Sequence, residues 1–287
     1  MAEISEIPIF YINLDRAINR KAHIESSLQK FGVVGQRIPA TDAIGIEAKN
    51  VPNLGQHLHS NCRWEINNFS IAVFESHRKA WNAVSETDYP FSIILEDDVI
   101  FGDEFAEFLG SLEDAVEYFD ILRLNTFAQT RVLGDVPPLN GTIEVKSILQ
   151  ATADAGAYVL TKASSKRLLE DSKAYCDHVD DFIFNPDRNL RTFQLVDPIC
   201  GQLIHETSGT TEVEKLGISI SGRNSIGREN DKPAKGPIWF RIRKEIQRAV
   251  TKTKLRRLIQ KDQASQIPGI LKIRMKANPD ERGKRKL

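Results

Sequence analysis

One stretch of the sequence suggests chemistry by residue type alone: Glu96-Asp97-Asp98, three carboxylates directly after the apolar run Ile93-Ile-Leu95. Adjacent carboxylates repel one another, so placing them at the end of a buried run is unfavourable unless a cation or hydrogen-bond donors compensate. Their hard oxygens suit Mg²⁺ or Mn²⁺. Glu96 and Asp98 alternate onto one side of an extended chain, where they can bridge a cation to a diphosphate. Taken alone, the triplet reads more simply as a polar strand exit with solvated acids. His57, His59 and Cys62 also fall close together, but no fourth ligand follows at zinc-binding spacing, and a polar loop is the simpler reading. Cys62, Cys176 and Cys200 show no CxxC pairing, which argues against a disulfide framework or structural zinc.

The triplet has to be held by elements that the hydrophobic pattern makes visible. Ile7 to Leu14 is an apolar run suited to a buried strand, and Ile24, Leu28 and Phe31 within Ala17 to Phe31 recur at helical spacing. Residues 33–41 read as a second strand and 50–69 as polar and irregular. From Ser70 to Ser85, the residues Ile71, Phe74, His77, Trp81 and Val84 define one face of a helix, which makes His77 a core histidine by default. Phe91 to Leu95 is a strand running into the triplet. Asp103 to Phe119 carries another helical stripe, and Asp120 to Leu124 another strand. Further strands are expected at 142–149, 156–161 and 193–199, with a helix at 162–175. This alternation predicts an α/β fold with a mostly parallel mixed sheet, whose ligands bind beyond the carboxyl ends of the strands.

Composition is that of an ordinary globular protein: 287 residues, 41% apolar, with 39 Lys+Arg against 39 Asp+Glu. The neutral total hides an asymmetry. Residues 232–287 hold 18 basic and 4 acidic residues, a balance of +14, so residues 1–231 hold 21 and 35, a balance of −14. A Ser-, Gly- and Asn-rich stretch marks the junction. The expected organisation is a domain over 1–218, a linker over 219–236 and a basic amphipathic helical tail over 237–287. In the tail, Trp239, Ile242, Ile246, Ala249 and Val250 share one helical face, a pattern suited to an anionic membrane surface or to packing on the acidic domain. Leu255, Leu258 and Ile259 point elsewhere, so a break is expected near Thr251 to Thr253. Aromatics interleaved with the tail's charges are confined to Trp239 and Phe240, so no nucleic acid is expected as a partner. No window is apolar enough to span a bilayer, and the start carries acids where a secretory signal carries Lys or Arg. The expectation is a cytoplasmic protein.

Several blocks together carry a resemblance. Phe10-Tyr-Ile-Asn-Leu-Asp-Arg-Ala-Ile-Asn-Arg20, Arg37-Ile-Pro-Ala-Thr-Asp42, Ser76-His77 with Ala80-Trp81, and Ile94-Leu-Glu-Asp-Asp-Val99 resemble, in order and spacing, glycosyltransferase family 25. Gly156-Ala-Tyr-Val-Leu-Thr161, with Leu168-Leu169, is similar to a second family block, and His178-Val-Asp-Asp181 to the block with a later aspartate. The resemblance spans about residues 7–210. It implies a GT-A type nucleotide-sugar fold, a UDP-hexose donor that is usually UDP-galactose, a divalent cation (Mn²⁺ or Mg²⁺), and inverting transfer to a sugar hydroxyl. Two departures stand out. Ser70 occupies a position where many members carry glutamate, and the basic tail lies outside the resemblance.

Carried onto this sequence, the resemblance implies roles that elementary chemistry supports. Glu96 and Asp98 would hold the metal, with Asp97 beside them at the donor. Asp180 would be the base that receives the acceptor proton, with Asp181 the close rival and an exposed acidic turn the plain alternative. Asn13, Asp15, Arg16 and Arg20 would meet uracil, ribose or phosphate, the arginines in forked geometry, although Asp15 also suits an N-cap and the arginines a solvated helix face. Asp42, Ser76 and His77 complete the donor side, with a turn aspartate and a core histidine as alternatives. His205 is a further candidate metal ligand. The partners implied are a UDP-sugar, a lipid-linked oligosaccharide of the lipopolysaccharide or lipooligosaccharide kind, and, through the tail, the inner face of the cytoplasmic membrane. A catalytically silent sugar-binding or scaffolding protein is the alternative.

Overall fold

The computed structural model of the chain describes residues 6–44, 46, 64, 66–203 and 236–270. His57, His59, Cys62, His205 and residues 219–235 of the expected linker lie outside the described residues. The opening unit forms as its pattern requires. β1 (Ile9–Asn13) is buried along its length, and α1 (Ile18–Gln29) buries Ile24 and Leu28. β2 (Gly35–Pro39) follows. Next comes α2 (Asn68–Glu86), whose start is fixed by the Asn67 side chain accepting from the Ser70 amide at 2.8 Å. β3 (Phe91–Glu96) is buried except at its last residue, where the triplet begins.

After the triplet, β4 (Val99–Phe101) and α3 (Phe105–Leu112) lead through a 3₁₀ turn to β5 (Ile121–Arg123). β6 (Arg131–Asp135), β7 (Val145–Ile148) and β8 (Ala157–Thr161) follow, then α4 (Lys162–Asp171), α5 (Val179–Ile183), β9 (Thr192–Leu195) and β10 (Cys200–Gln202). The tail supplies α6 (Ile238–Gln260) and β11 (Ala264–Ile267). Nine strands make one sheet in the order β11-β6-β7-β9-β5-β8-β3-β1-β2, and β4 and β10 form a separate antiparallel ribbon.

The sheet has two buried faces because its strands alternate. Ile9, Tyr11, Ile93, Leu95 and Val159 face α1 and α3, while Phe10, Ile12, Ile94, Tyr158 and Leu160 face α2, α4 and α5. The expected mostly parallel sheet is corrected. Only β1–β2, β1–β3 and β5–β9 are parallel, whereas β3–β8, β5–β8, β6–β7, β7–β9 and β6–β11 are antiparallel. A parallel neighbour needs a long crossover, generally a helix. No α-helix lies between β5 and β8, so the chain returns through β6 and β7, and β8 enters between β3 and β5 running against both.

The tail departs from expectation in two ways. α6 is unbroken through Thr251–Thr253, and the Thr253 hydroxyl donates to the Ala249 carbonyl at 2.9 Å within it. The shift in apolar positions marks two faces of one helix, not two helices. Phe240 and Leu255 are buried, whereas Ile242, Ile246 and Val250 are more than half exposed. The tail is also not wholly helical, since β11 pairs with β6 in the register Ala264↔Gly134 to Ile267↔Arg131 and extends the sheet.

Candidate active site

Register brings the sequence candidates to one end of the sheet. Ile12 pairs with Glu96 and Asn13 with Pro39, so the carboxyl ends of β1, β2 and β3 lie side by side. Across β3, the Glu96 amide donates to the Gly156 carbonyl at 2.7 Å, which sets the entry of β8 against the triplet. The helices α2 and α5 cover this end from one face.

The triplet splits its three carboxylates among three environments. Asp97 is turned inward: its Oδ2 accepts from Asn13 Nδ2 at 2.7 Å and its Oδ1 from Arg20 Nη1 at 2.9 Å. Burial raises its pKa, with Arg20 and Asn13 opposing that shift. Both oxygens are therefore engaged in fixing β1 and α1. Asp98 is buried in the turn between β3 and β4, and its carbonyl accepts from the Leu203 amide at 3.0 Å.

Glu96 is held by Gln202 and faces a histidine. Its Oε2 accepts from Gln202 Nε2 at 2.9 Å, and its Oε1 lies 3.6 Å from His77 Nε2. His77 is buried with Nδ1 2.9 Å from the Tyr158 hydroxyl, which accepts from Trp81 Nε1 at 2.9 Å. One proton is shared between the Tyr158 hydroxyl and His77 Nδ1, and His77 Nε2 faces Glu96 without a hydrogen bond among the described residues. Burial pushes the His77 pKa down to about 4, against the opposing charge of Asp180, so the ring is neutral at pH 7. The core-histidine expectation holds, since the ring is buried against Tyr158, and the same side chain turns its Nε2 toward the triplet.

The later aspartates also divide. Asp180, in the first turn of α5, accepts from the Asp154 amide at 2.7 Å through Oδ2. Asp154 is a non-glycine residue at φ +84°, a conformation that costs about 1–3 kcal/mol and persists where surrounding contacts impose it. Arg123 does so here. Fully buried, it donates from Nε to the Asp154 carbonyl at 2.9 Å, with Nη2 3.4 Å from Asp154 Oδ2. Arg131 donates to the Ala153 carbonyl at 3.0 Å and lies 4.8 Å from the Phe127 ring centroid. Burial and the neighbouring Arg123 bring the Arg131 pKa down to about 9, while Asp154 and Asp180 oppose this. Asp181 points elsewhere, into a groove between α6 and the sheet edge.

The remaining donor-side candidates ring the ends of β1 and β2. Arg37 donates from Nε to Asn13 Oδ1 at 2.9 Å and from Nη2 to the Asn13 carbonyl at 3.0 Å and to Asp15 Oδ1 at 2.5 Å. Arg16 pairs with Asp42, both partly exposed, at the rim. Ser76 is buried and joins α2 to the loop after β2, accepting from the Thr41 amide at 2.8 Å and donating to the Ala72 carbonyl at 2.7 Å. Ser70, the departure from the family pattern, lies 3.2 Å from His178 Nδ1, just before Asp180.

Six contributors were absent from the sequence candidates: Arg37, Arg123, Arg131, Asp154, Tyr158 and Gln202. Arg37 and Tyr158 sit inside blocks already singled out, and an arginine within the apolar strand Asp120-Ile-Leu-Arg-Leu124 was a readable sign of a buried, paired cation. Nothing in the sequence marked Asp154 or Gln202.

The donor chemistry fits a cation that takes part of its shell from a substrate. Glu96 and Asp98 offer hard carboxylate oxygens at one strand end, and Asp97 is committed elsewhere. Among the described residues no group of three or more His, Cys, Asp or Glu is arranged to hold an ion unaided. Mg²⁺ and Mn²⁺ are commonly bound in this manner, by one or two carboxylates together with substrate phosphates.

The chain is 26% identical over 208 residues to the lipooligosaccharide biosynthesis protein lic2B of Haemophilus influenzae, covering 67% of this chain and 75% of that protein. It is 21% identical over 253 residues to the lacto-N-neotetraose biosynthesis glycosyltransferase LgtE of Neisseria gonorrhoeae, covering 82% and 87%. A solved structure of S. aureus TarS aligns at 14% identity over 74% of this chain and 63% of that one, with a TM-score of 0.35, too low to bear on the fold. The sequence model of Glycosyltransferase family 25 (LPS biosynthesis protein) matches residues 6–183, from β1 through the Asp180 helix, and the chain belongs to that family.

Proposed function

We propose that the chain is a metal-dependent, inverting glycosyltransferase of GT-A type. It would move a hexose, galactose in the first instance, from a UDP-sugar to the oligosaccharide of a lipopolysaccharide or lipooligosaccharide acceptor. The observation that carries this reading is the convergence at one sheet end of Glu96, fixed by Gln202 and facing His77, with buried Asp98 and with Asp180 held by the Asp154 amide.

Glu96 and Asp98 would hold Mn²⁺ or Mg²⁺, which when bound neutralises the leaving diphosphate as a Lewis acid. His77 is neutral at pH 7 and so stands beside Glu96 without competing for a cation, while Gln202 orients the carboxylate. Asn13 and Arg37 are cross-braced at the end of β1, where a nucleoside would sit, and Arg20 holds Asp97 behind them. Asp180 keeps Oδ2 on the Asp154 amide, leaving Oδ1 to receive the acceptor hydroxyl proton as the new glycosidic bond forms. Work on a lipid-linked acceptor would place the protein in the cytoplasm, peripheral on the inner face of the membrane. No helix among the described residues is long and apolar enough to cross a membrane, and the exposed apolar row of α6 would serve as the contact.

Calorimetry with UDP and Mn²⁺ tests the metal assignment: Asp98→Ala should lose metal-dependent UDP binding and keep its fold. A donor screen with Mn²⁺ and several UDP-sugars, read as UDP release, tests the transfer. A silent sugar-binding protein is the second reading, favoured by Ser70 where many members carry glutamate. It predicts UDP-sugar binding with no release of UDP in the presence of acceptor.

A further inference from the structure

Between α6 and the sheet edge runs a groove with a cavity of about 540 Å³, within the size range of small-molecule sites. One wall is a single ridge of α6: Lys244, Arg248, Lys252 and Arg256, each four residues after the last. At 1.5 Å rise per residue the row spans about 18 Å along the helix. Like charges at this spacing repel and destabilise a helix. Of the four, Arg248 pairs with Glu245 on the same helix, and no ion pair among the described residues engages Lys252 or Arg256. Lys244 is half-buried, and Arg248, Lys252 and Arg256 are exposed along the mouth of the groove, so a cationic ridge of this length is stabilised when anionic groups lie along it.

The opposite wall gives the ligand its class and direction. Gln150 and Gln266 line it, supplying the amides that sugar hydroxyls take, and Asp181 stands in it. Asp181 adjoins Asp180, the proposed base, so the groove opens beside the place where an acceptor hydroxyl would react. We propose that this groove is the acceptor subsite and that it recognises a phosphate-bearing oligosaccharide, with the anionic groups along the α6 ridge and the reactive hydroxyl at the Asp180 end. Its cationic ridge lies outside the family match at residues 6–183, because α6 supplies it, while Gln150 and Asp181 lie inside the match. Its designation as the acceptor site rests on the transferase reading; its anion preference does not.

The test uses the full chain, with a maltotriose phosphate and unmodified maltotriose as probes. Vesicles of equimolar phosphatidylcholine and phosphatidylglycerol separate a glycan phosphate from a lipid headgroup. The wild-type protein should bind the phosphorylated sugar roughly tenfold or more tightly than its neutral parent. Lys252→Glu with Arg256→Glu should abolish that preference and leave UDP binding unchanged. The Lys252→Gln, Arg256→Gln pair, gentler on the fold, should reduce it in the same direction. Equal affinity for both sugars in the wild type, or a preference that survives both double variants, overturns the proposal. So does a loss confined to vesicle binding. If the preference appears and is lost as expected while no UDP-sugar is consumed, the anion groove stands and the transferase reading falls. If UDP-sugar is consumed and no preference exists, the reverse holds.

Discussion

Asp180 and Asp181 are neighbours in sequence, yet one turn of helix sends them to different places. Asp180 faces the strand ends and takes the Asp154 amide, and Asp181 faces the α6 groove. Their variants should therefore behave differently. Asp180→Asn should retain UDP affinity and lower turnover by about 10² to 10⁴, the usual range for a positioned base. Asp181→Asn should act chiefly on acceptor KM. Steady-state kinetics with acceptor varied at saturating donor separates the two, and unchanged turnover in Asp180→Asn would move the base elsewhere. The sequence made the carboxylates legible because acids crowded against an apolar run are costly and so conspicuous. It did not show which of the three would turn inward, since the Asn13 and Arg20 that engage Asp97 lie more than seventy residues away. Asp154 was invisible for a different reason: its contribution is a main-chain N–H presented by an unusual φ, which no side-chain pattern records.

At the scale of elements, the β3–β8 junction decides how Glu96 is aimed. Gly156 is the residue of least bulk there, and a Cβ on it would come within 2.9 Å of Gln202 Nε2 and 3.2 Å of Asp154 Oδ1. Gly156→Ala should displace the Gln202 side chain from Glu96. The expected result is weaker Mn²⁺-dependent UDP binding, by calorimetry, with a smaller change in melting temperature. A large drop in melting temperature with donor binding intact would contradict this. The β6–β11 edge has its own clasp, in which Asp135 accepts from Lys146 and from the Ser265 hydroxyl, the latter at 2.9 Å. Those two bonds hold the Asp135 carboxyl below its ordinary value of 3.8. A folded pKa lower than the unfolded one gives stability that is present above the unfolded value and lost as pH falls through the folded one. The protection of the β11 amides, relative to their intrinsic exchange rate, should accordingly be fully present near pH 5 and decline as pH falls below about pH 4, and Asp135→Asn should remove that dependence. Strands β1 and β3, and helices α1 and α2, could be read from periodicity because their partners are near in sequence or their pattern is long. Strands β6 and β11 could not, because they are short strands whose pairing with each other, 130 residues apart, is decided by tertiary contact.

On the scale of the whole molecule, the charge asymmetry acquires a geometry. The acidic 1–231 segment and the basic tail, balanced at −14 and +14, meet along α6. The helix presents one apolar face inward through Phe240 and Leu255 and another outward through Ile242, Ile246 and Val250. The sequence offered membrane contact and packing on the domain as alternatives; Phe240 and Leu255 show the packing, and the exposed row is the surface through which we propose the membrane contact. Arg243 and Lys254 on one side of the outward row, with Arg241 on the other, supply the cations that an anionic bilayer favours, at about 1 kcal/mol for each one near the surface. Ile242→Ser with Ile246→Ser removes apolar atoms that are 55% and 59% exposed, so the melting temperature should barely change. Sedimentation with phosphatidylglycerol-containing vesicles should fall sharply in this variant. Wild-type binding should weaken as salt rises, because the basic contribution is screened over a Debye length of about 8 Å at physiological ionic strength. Transfer to a soluble acceptor should persist in the variant, since Glu96, Asp98 and Asp180 lie on the far side of the helix from the altered row. A variant that sediments with vesicles as fully as the wild type would remove the outward face of α6 from membrane contact and leave the helix as a wall of the groove alone.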